Sequence, residues 1–511
     1  MADLIFCLDA GTTAVKAAAF TLDGELVALH EMPNGALRRD GVRAEQDMAV
    51  TRDEAWQTLR ACTERARGRG QPRGLIVTGQ GEGVWPLDAQ GQPLGLASTW
   101  LDGRAGALLA ELEAAGTLAA IAEITGTQPT LASPSIQLLW LQRHDPQRYA
   151  RIAHVLRAKE WLFHGLTGKF GCEPSTAMLT WGDWRRQCVA DEIPRLLGLQ
   201  GLRERLPALA TIADSPRPLT AAAATALGLP TGLPVMLGPS DVQATAIGVG
   251  VGVLDGVNRA SIFGTSAIHV GHFASAAALP ARPRGAMLQA SIVPGAYFCI
   301  HAGFNGTTTL RHMRALLGQP AAPSASVCAP SGVVLHPFFE PGGERAPLTD
   351  PNARASLIGL CAATDAAELA WAAREALAFN ARLSHDSLGD DGGAVAFGGG
   401  LAHDDTFAAL LATVLGRRVL RPASPHAGLV GIGLIAGHHL GGVAMRELGA
   451  RWLAGDSRID APTPGAHARF LDRKFDLYKR LIDVLGPMWP ELVALQQQAR
   501  ELAGDSPGHT P

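Results

Sequence analysis

Residues 4–24 read LIFCLDAGTTAVKAAAFTLDG, a stretch that predicts two strands joined by a short turn. The apolar run 4–8 ends at Asp9, small residues follow, and a second apolar run, 15–20, leads into Asp23-Gly24. An Asp-Gly pair after an apolar run is a hairpin signal, and residues 26–30 continue as a third strand. We therefore predict that three antiparallel strands form the first part of a sheet.

The same arrangement recurs in the second half of the chain. Residues 260–263 and 267–270 read as strands around the turn Gly264-Thr265-Ser266. Helical spacing over 53–65, 105–115, 135–144, 366–383 and 406–415, with buried strands at 74–79 and 394–397, adds helices to both halves. The pattern predicts an α/β chain with an internal duplication.

Length and glycine content suggest where the chain divides. At 511 residues the chain is too long for one compact domain, and a glycine-rich stretch lies at 248–256. We predict an N-terminal domain over residues 1–247, a C-terminal domain over 248–490, and a helix end and tail over 491–511. Residues 320–330 are rich in proline, alanine and serine and predict a surface loop, and residues 504–511 predict a frayed terminus.

Composition excludes several classes of function. Lysine plus arginine number 44 against 47 acidic residues, so no global positive field exists to attract nucleic acid. The seven cysteines are never spaced as C-x-x-C, which indicates neither a disulfide framework nor a zinc site. The apolar stretch 427–445 holds His438, His439 and six glycines, too polar for a membrane helix. With acidic Asp3 and Asp9 in place of a signal sequence, we expect a cytoplasmic protein without membrane partners.

The two small-residue turns have the composition of phosphate-binding loops. Asp9 ends a strand, and the Gly-Thr-Thr that follows offers backbone N–H groups and hydroxyl oxygens to a phosphate. A carboxylate beside a phosphate also suits Mg²⁺, which is usually held through waters. The alternative is an ordinary hairpin turn in which Asp9 and the threonines satisfy backbone groups. The repeat at Gly264-Thr265-Ser266 favours a polyphosphate held between two turns.

Asp241 is the candidate general base. It follows the apolar strand 234–237 and precedes a helical stretch, so it lies at a strand end or helix start. Phosphoryl transfer to a hydroxyl needs orientation and a proton acceptor, and one aspartate supplies both. The competing interpretation, a helix N-cap, is about equally well supported.

Polar residues framed by glycines suggest a polyhydroxyl ligand. Gln80 and Glu82 follow the strand 74–79, and Trp100 and Asp102 lie shortly after. A polar loop with packed tryptophans is the alternative. Gly398-Gly399-Gly400 follows an apolar strand and permits close approach of a flat ligand, or simply a tight turn.

Together these segments resemble the FGGY carbohydrate kinases, of the actin and hexokinase superfamily, in the same order along nearly the full chain. The matching pieces are D-A-G-T-T at 9–13, Q-G-E-G at 80–83, W-L-D-G-R at 100–104, K-E-W-L at 159–162, G-P-S-D at 238–241, G-T-S at 264–266, G-G-E-R-A-P at 342–347, D-P-N-A-R at 350–354, G-G-G at 398–400 and the glycine-rich stretch 428–433. The resemblance implies two RNase H-like domains with a central nucleotide cleft, ATP and Mg²⁺ in that cleft, a small sugar or polyol in the N-terminal domain, closure on binding, and a homodimer.

The resemblance also implies residue roles. Asp241 would be the catalytic base and contact the substrate, and Asp9 would bind Mg²⁺. The phosphates would contact Thr12, Thr13, Gly264, Thr265 and Ser266; the adenosine would contact Gly399, Gly400, Leu401 and His403; and the substrate would contact Gln80, Gly81, Glu82, Trp100 and Asp102.

Departures from the family pattern bear on the substrate. Pro239 and Ser240 stand before Asp241 where the family often has glycines, and Gly81-Glu82 replaces the Met-His of typical xylulokinases, so a donor becomes an acceptor. We predict D-xylulose as the substrate. Erythritol and L-xylulose are alternatives, because residues 79–85, Pro174-Ser175 and 182–184 are similar to kinases of those compounds. A catalytically silent nucleotide-binding regulator is the alternative from another class, because the fold also supports such proteins.

Overall fold

The computed structural model describes residues 2–280, 285–318, 330–455 and 457–503. The predicted loop at 320–330, except Pro330, and the predicted tail at 504–511 lie outside this range. The strands are β1 (Ala2–Ala10), β2 (Ala14–Thr21), β3 (Leu26–Pro33), β4 (Leu37–Asp40), β5 (Arg43–Gln46), β6 (Gly70–Gly79), β7 (Trp85–Leu87), β8 (Ala97–Ser98), β9 (His154–Leu156), β10 (Gly182–Asp183), β11 (Cys188–Val189), β12 (Arg217–Pro218), β13 (Pro234–Ser240), β14 (Val257–Phe263), β15 (Ala267–Phe273), β16 (Met287–Ala290), β17 (Tyr297–Ala302), β18 (Val334–His336), β19 (Ser356–Ile358), β20 (Ala394–Gly399), β21 (Val419–Arg421) and β22 (Arg458–Asp460).

The α-helices alternate with these strands. They are α1 (Met48–Ala66), α2 (Gly106–Ala114), α3 (Thr117–Thr125), α4 (Pro134–His144), α5 (Pro146–Arg151), α6 (Ala158–Thr167), α7 (Pro174–Trp181), α8 (Glu192–Leu197), α9 (Ala221–Leu227), α10 (Asp241–Gly248), α11 (Thr307–Leu316), α12 (Ala366–Leu388), α13 (Asp405–Leu415), α14 (Ala427–Gly441), α15 (Met445–Leu453), α16 (Ala466–Leu485) and α17 (Trp489–Leu502). The predicted helices are confirmed, with shifted ends. Helix α1 begins at Met48 because the Asp47 side chain caps it by accepting from the backbone N–H groups of Ala49 and Val50.

The first sheet has the strand order β12-β13-β6-β1-β2-β3. The predicted hairpins are confirmed, since β2 pairs antiparallel with both β1 and β3. Strands β1, β6 and β13 run parallel, and Ala10, Gly79 and Ser240 lie side by side at their carboxyl ends. Residues that follow these strands therefore meet at one edge of the sheet.

The second sheet repeats this unit, in the order β16-β17-β15-β14-β20-β21-β22. Strand β14 pairs antiparallel with β15 and parallel with β20, as β1 pairs with β2 and β6. The predicted repetition is confirmed. The boundary after residue 247 stays a prediction; the first strand of the second sheet begins at Val257.

Helices α10 and α14 lie between the two sheets and touch backbone to backbone. A Cβ atom at Gly248 would lie 1.8 Å from the carbonyl oxygen of Ala427, and one at Gly431 would lie 1.8 Å from that of Ala244. Around them one cluster of buried apolar residues contains side chains of both sheets, among them Ile76 of β6 and Ala260 of β14. No helix in the described ranges is long and apolar enough to span a bilayer.

Replacing Gly431 with alanine is expected to lower the free energy of unfolding by about 1–3 kcal/mol or more, because the methyl group would meet backbone that cannot rotate away. The urea midpoint measures this effect. Gly106→Ala is the matched control: no atom lies within 4 Å of its added Cβ, and alanine favours the helix. Equal midpoints for both variants would contradict the close helix contact.

Candidate active site

The edge of the first sheet brings together three of the predicted site residues. Asp9 lies at the end of β1, Gln80 directly follows β6, and Asp241 directly follows β13. Asp241 is the first residue of α10, and the N-cap is Ser240, whose hydroxyl accepts the backbone N–H of Gln243 at 3.2 Å. The N-cap interpretation of Asp241 is therefore wrong, because a neighbouring hydroxyl already fills that role. The carboxylate accepts the N–H of Val242 at 2.9 Å.

Asp9 and Asp241 repel each other inside a cleft. Burial and then the charge of Asp241 raise the pKa of Asp9 to about 7. Burial raises the pKa of Asp241 to about 6, although the N–H of Val242 and the charge of Lys159 lower it, and Glu82 raises it further. Asp9, Glu82 and Asp241 are each partly buried, as expected for residues that line a cleft. Such a cleft favours a bound cation.

The surroundings of Asp9 fit a hydrated Mg²⁺ ion. Its Oδ1 is buried without a hydrogen-bond partner among the described residues. A Cβ atom at Gly428, in the first turn of α14, would lie 3.0 Å from Oδ2, so the missing side chain leaves Asp9 accessible. The described residues contain no cluster of three or more potential metal ligands. One or two carboxylates completed by water and phosphate oxygens is the ordinary environment of Mg²⁺.

A buried ion pair fixes the backbone just before Asp241. The Lys159 ammonium donates to Glu173 and to the carbonyl oxygen of Gly238, the latter at 2.8 Å. Glu173 also accepts the Ser175 hydroxyl at 2.7 Å, and that hydroxyl accepts the N–H of Ser240 at 2.9 Å. Burial raises the pKa of Glu173, but Lys159 and Ser175 outweigh it and the net effect is a lowering. These roles are not predicted from the sequence; the available signal is a lysine close to the apolar residues 161–163.

Three of the predicted contact residues form one hydrogen-bonded group. Trp100 Nε1 donates to Thr12 Oγ1 at 2.8 Å, and Thr12 Oγ1 donates to Gln80 Oε1 at 3.4 Å. The Gln80 amide in turn donates to Gln46, a residue that the sequence analysis missed. Thr13 is exposed, and its carbonyl accepts the N–H of Asn34. The first phosphate turn and the predicted substrate residues are thus in direct contact.

Asp102 and Glu82 have different surroundings. Asp102 is buried, and its carboxylate accepts the N–H of Ala44 at 3.1 Å and the Arg104 guanidinium at 2.9 Å. Protein donors thus engage both of its oxygens, and contact with a substrate stays a prediction. Glu82 lies in the cleft with Asp241, and the backbone of Gly81 packs against Ser240.

The second predicted phosphate turn and the glycines after β20 meet at the corresponding edge of the second sheet. The turn Gly264-Thr265-Ser266 joins β14 to β15 and is backed by the start of α11, where the N–H of Thr307 donates to the Gly264 carbonyl at 2.9 Å. Gly399 pairs with Phe263 at a φ of 85°, and a Cβ there would lie 2.3 Å from the Phe263 carbonyl oxygen. A side chain at that position would therefore clash with the backbone of the turn.

The other residues that are predicted to contact the adenosine follow Gly399 in the sequence. A Cβ at Gly400 would have no atom within 4 Å, so space opens there. Leu401 packs partly against the apolar core of the second half. His403 lines a cavity of about 330 Å³ with Asp405 and Arg421.

The chain is similar to known proteins over most of its length. Residues 4–248 match the N-terminal domain, and residues 260–440 the C-terminal domain, of the FGGY family of carbohydrate kinases. Erythritol kinase of Brucella abortus (strain 2308) is 28% identical, covering 96% of this chain and 98% of its own. Xylulose kinase of Escherichia coli (strain K12) is 28% identical, covering 73% of this chain and 76% of its own. The crystal structure of ligand-bound xylulose kinase from Lactobacillus acidophilus superposes with a TM-score of 0.87 at 21% identity, over 96% and 100% of the two chains, which confirms the predicted two-domain fold.

Removing the Lys159 charge is expected to destabilise the protein strongly. In Lys159→Met the Glu173 carboxylate stays buried without its cation, which typically costs about 3–5 kcal/mol. Thermal unfolding measures the loss, and the exposed Lys169→Met is the control. The double variant Lys159→Met/Glu173→Gln is expected to recover part of it. A melting temperature equal to that of the control would contradict the structural role of this pair.

Proposed function

The chain belongs to the FGGY family of carbohydrate kinases, and from this premise we propose that it transfers the γ-phosphoryl group of ATP to a terminal hydroxyl of a short linear polyol, erythritol first among the candidates. It is an ATP-dependent carbohydrate kinase. The identity of the substrate and the roles of individual residues are what we propose. The predicted regulator alternative is set aside because the relatives that match over most of their length are kinases by name.

The position of Glu82 near Asp241 is the observation that supports a polyol as the substrate. Its carboxylate lines the cleft near Asp241, and an ionised carboxylate only accepts hydrogen bonds. A linear polyol presents a hydroxyl donor at every carbon, whereas the carbonyl oxygen of a ketose only accepts. Similarity to erythritol kinase over nearly the full length of both chains supports the same choice. D-xylulose, the substrate predicted from the sequence, is the second candidate, supported by the similarity to xylulose kinase.

The proposed mechanism assigns proton transfer to Asp241. Its carboxylate, held at the start of α10 by the Ser240 cap, accepts the proton of the attacking hydroxyl. Backbone N–H groups and hydroxyls of the turns at Thr12-Thr13 and Gly264-Thr265-Ser266 orient the phosphates. Asp9 would hold Mg²⁺, which neutralises phosphate charge when bound. Gly399 and Gly400 leave room for the adenosine beside Leu401 and His403.

Asp241→Asn is expected to lower kcat by about 10²- to 10⁴-fold, because the amide keeps the shape but accepts no proton. ATP affinity, measured by calorimetry, is expected to stay nearly unchanged. For the wild-type protein, kcat/KM is expected to rise as pH increases through about 6, since only the ionised carboxylate acts as a base. The exposed Asp255→Asn is the control. Near-normal turnover in Asp241→Asn would refute the assignment of the base.

A substrate panel tests the polyol proposal. We expect the highest kcat/KM with erythritol when ADP production is compared for erythritol, D-xylulose, L-xylulose and glycerol against a sugar-free blank. Glu82→Gln is expected to lower kcat/KM for erythritol by roughly tenfold, because a charged acceptor is lost, with little change in KM for ATP. Higher activity with D-xylulose than with erythritol would overturn the substrate assignment while leaving the kinase class intact.

A further inference from the structure

The C-terminal half of the chain places a cation near Glu82, within the motif at 342–347, for which no residue role is predicted. Arg345 lies in the segment between β18 and β19. Its Nε donates to the carbonyl oxygen of Ala302 at 3.2 Å, and its guanidinium lies over the ring of Phe304, 4.8 Å from the centroid. These contacts fix the orientation of a long side chain before any ligand binds.

The backbone of this segment is equally well fixed. Glu344 is buried and accepts the N–H groups of Phe304 at 2.7 Å and Arg345 at 2.8 Å. The loop it holds starts at Gly303, whose N–H donates to the carbonyl oxygen of Ala267, the first residue after the second phosphate turn, at 2.8 Å. Hydrogen bonds therefore link the segment that holds Arg345 to that turn.

Arg345 lies near Glu82 of the N-terminal half, which also has Arg157 and Ser133 in its surroundings. The two charges attract, since each shifts the pKa of the other, but they form no direct ion pair. Neither Nη atom of Arg345 has a protein partner within hydrogen-bond distance among the residues that the structure describes, and both side chains are only half-buried. A gap between an uncommitted donor and a carboxylate is the kind of space that a hydroxyl-bearing ligand fills.

We propose that Arg345 contacts the sugar and helps determine specificity: its Nη groups donate to an oxygen of the substrate whose neighbouring hydroxyl donates to Glu82. The inference rests on the proposed function, because it takes the ligand of this gap to be the phosphoryl acceptor. The sugar is then held from both halves of the chain. Full affinity requires the two halves to be closed, so that substrate binding and closure of the cleft support each other.

The test separates the sugar from the nucleotide. Arg345→Gln is expected to raise KM for the sugar by about tenfold or more, because a charge-assisted hydrogen bond is lost, while KM for ATP changes by less than about twofold. Arg345→Lys is expected to recover only part of the affinity, since an ammonium keeps the charge but not the planar fork. Arg354→Gln, in the same segment but bonded to Gln496, is the matched control and is expected to leave both KM values unchanged.

A double variant tests whether the two residues act on one ligand. If Arg345 and Glu82 hold neighbouring oxygens of the same molecule, Arg345→Gln/Glu82→Gln is expected to lose less than the product of the two single losses. An unchanged KM for the sugar would overturn the proposal. An increase confined to KM for ATP would overturn it too and place Arg345 against the phosphates.

The experiment distinguishes this inference from the proposed function. The wild-type protein is first assayed on the substrate panel, and the variants are then measured on whichever compound it phosphorylates. A preferred substrate other than erythritol refutes the polyol assignment, yet the change in KM of Arg345→Gln on that compound still tests the role of Arg345. Melting temperatures of all variants verify that each is folded.

Discussion

The contact between helices α10 and α14 determines where Asp9 and Asp241 lie relative to each other. Gly248 and Gly431 let the two backbones touch, and both helices begin at the same edge of the first sheet. Asp241 is the first residue of α10, and Gly428, in the first turn of α14, lies next to Asp9. Since α14 belongs to the part of the chain that matches the C-terminal domain, this crossing also joins the halves. A wider crossing would move Gly428 away from Asp9 and change the space between the carboxylates.

The cleft gathers negative charge at a cost in stability. Asp9, Glu82 and Asp241 lie near one another. Burial and the charge of Asp241 raise the pKa of Asp9 to about 7, and burial and the charge of Glu82 raise the pKa of Asp241 to about 6. Raised carboxylate pKa values of this kind are typical of functional sites, and a bound cation would lower both of them.

The sequence predicted what is encoded locally and missed what depends on distant contacts. Apolar runs ending in small residues predicted both hairpins, because strand and turn signals lie within about ten residues. Whether Asp241 caps its helix could not be decided from the sequence, because Ser240 is an equally good cap, and only the geometry shows that Ser240 performs it. The hydrogen bond from Lys159 to Gly238 and the proximity of Arg345 to Glu82 join segments far apart in the chain, and a single sequence does not show which residues such groups contact.

Substrate identity is the hardest property to deduce because few groups decide it. The predicted nucleotide contacts are mostly backbone turns and glycines. Members of one family can share them whatever sugar they bind, so they indicate the family but not the sugar. The sugar side depends on which groups donate and which accept: Glu82 accepts, whereas Arg345 only donates. Because the proposed acceptor, Glu82, lies in the N-terminal half and the proposed donor, Arg345, in the C-terminal half, neither half alone determines which substrate oxygens are bound. Under this proposal, exchanging a donor for an acceptor at position 82 changes which substrate oxygens can bind there and leaves the proposed base and phosphate contacts in place.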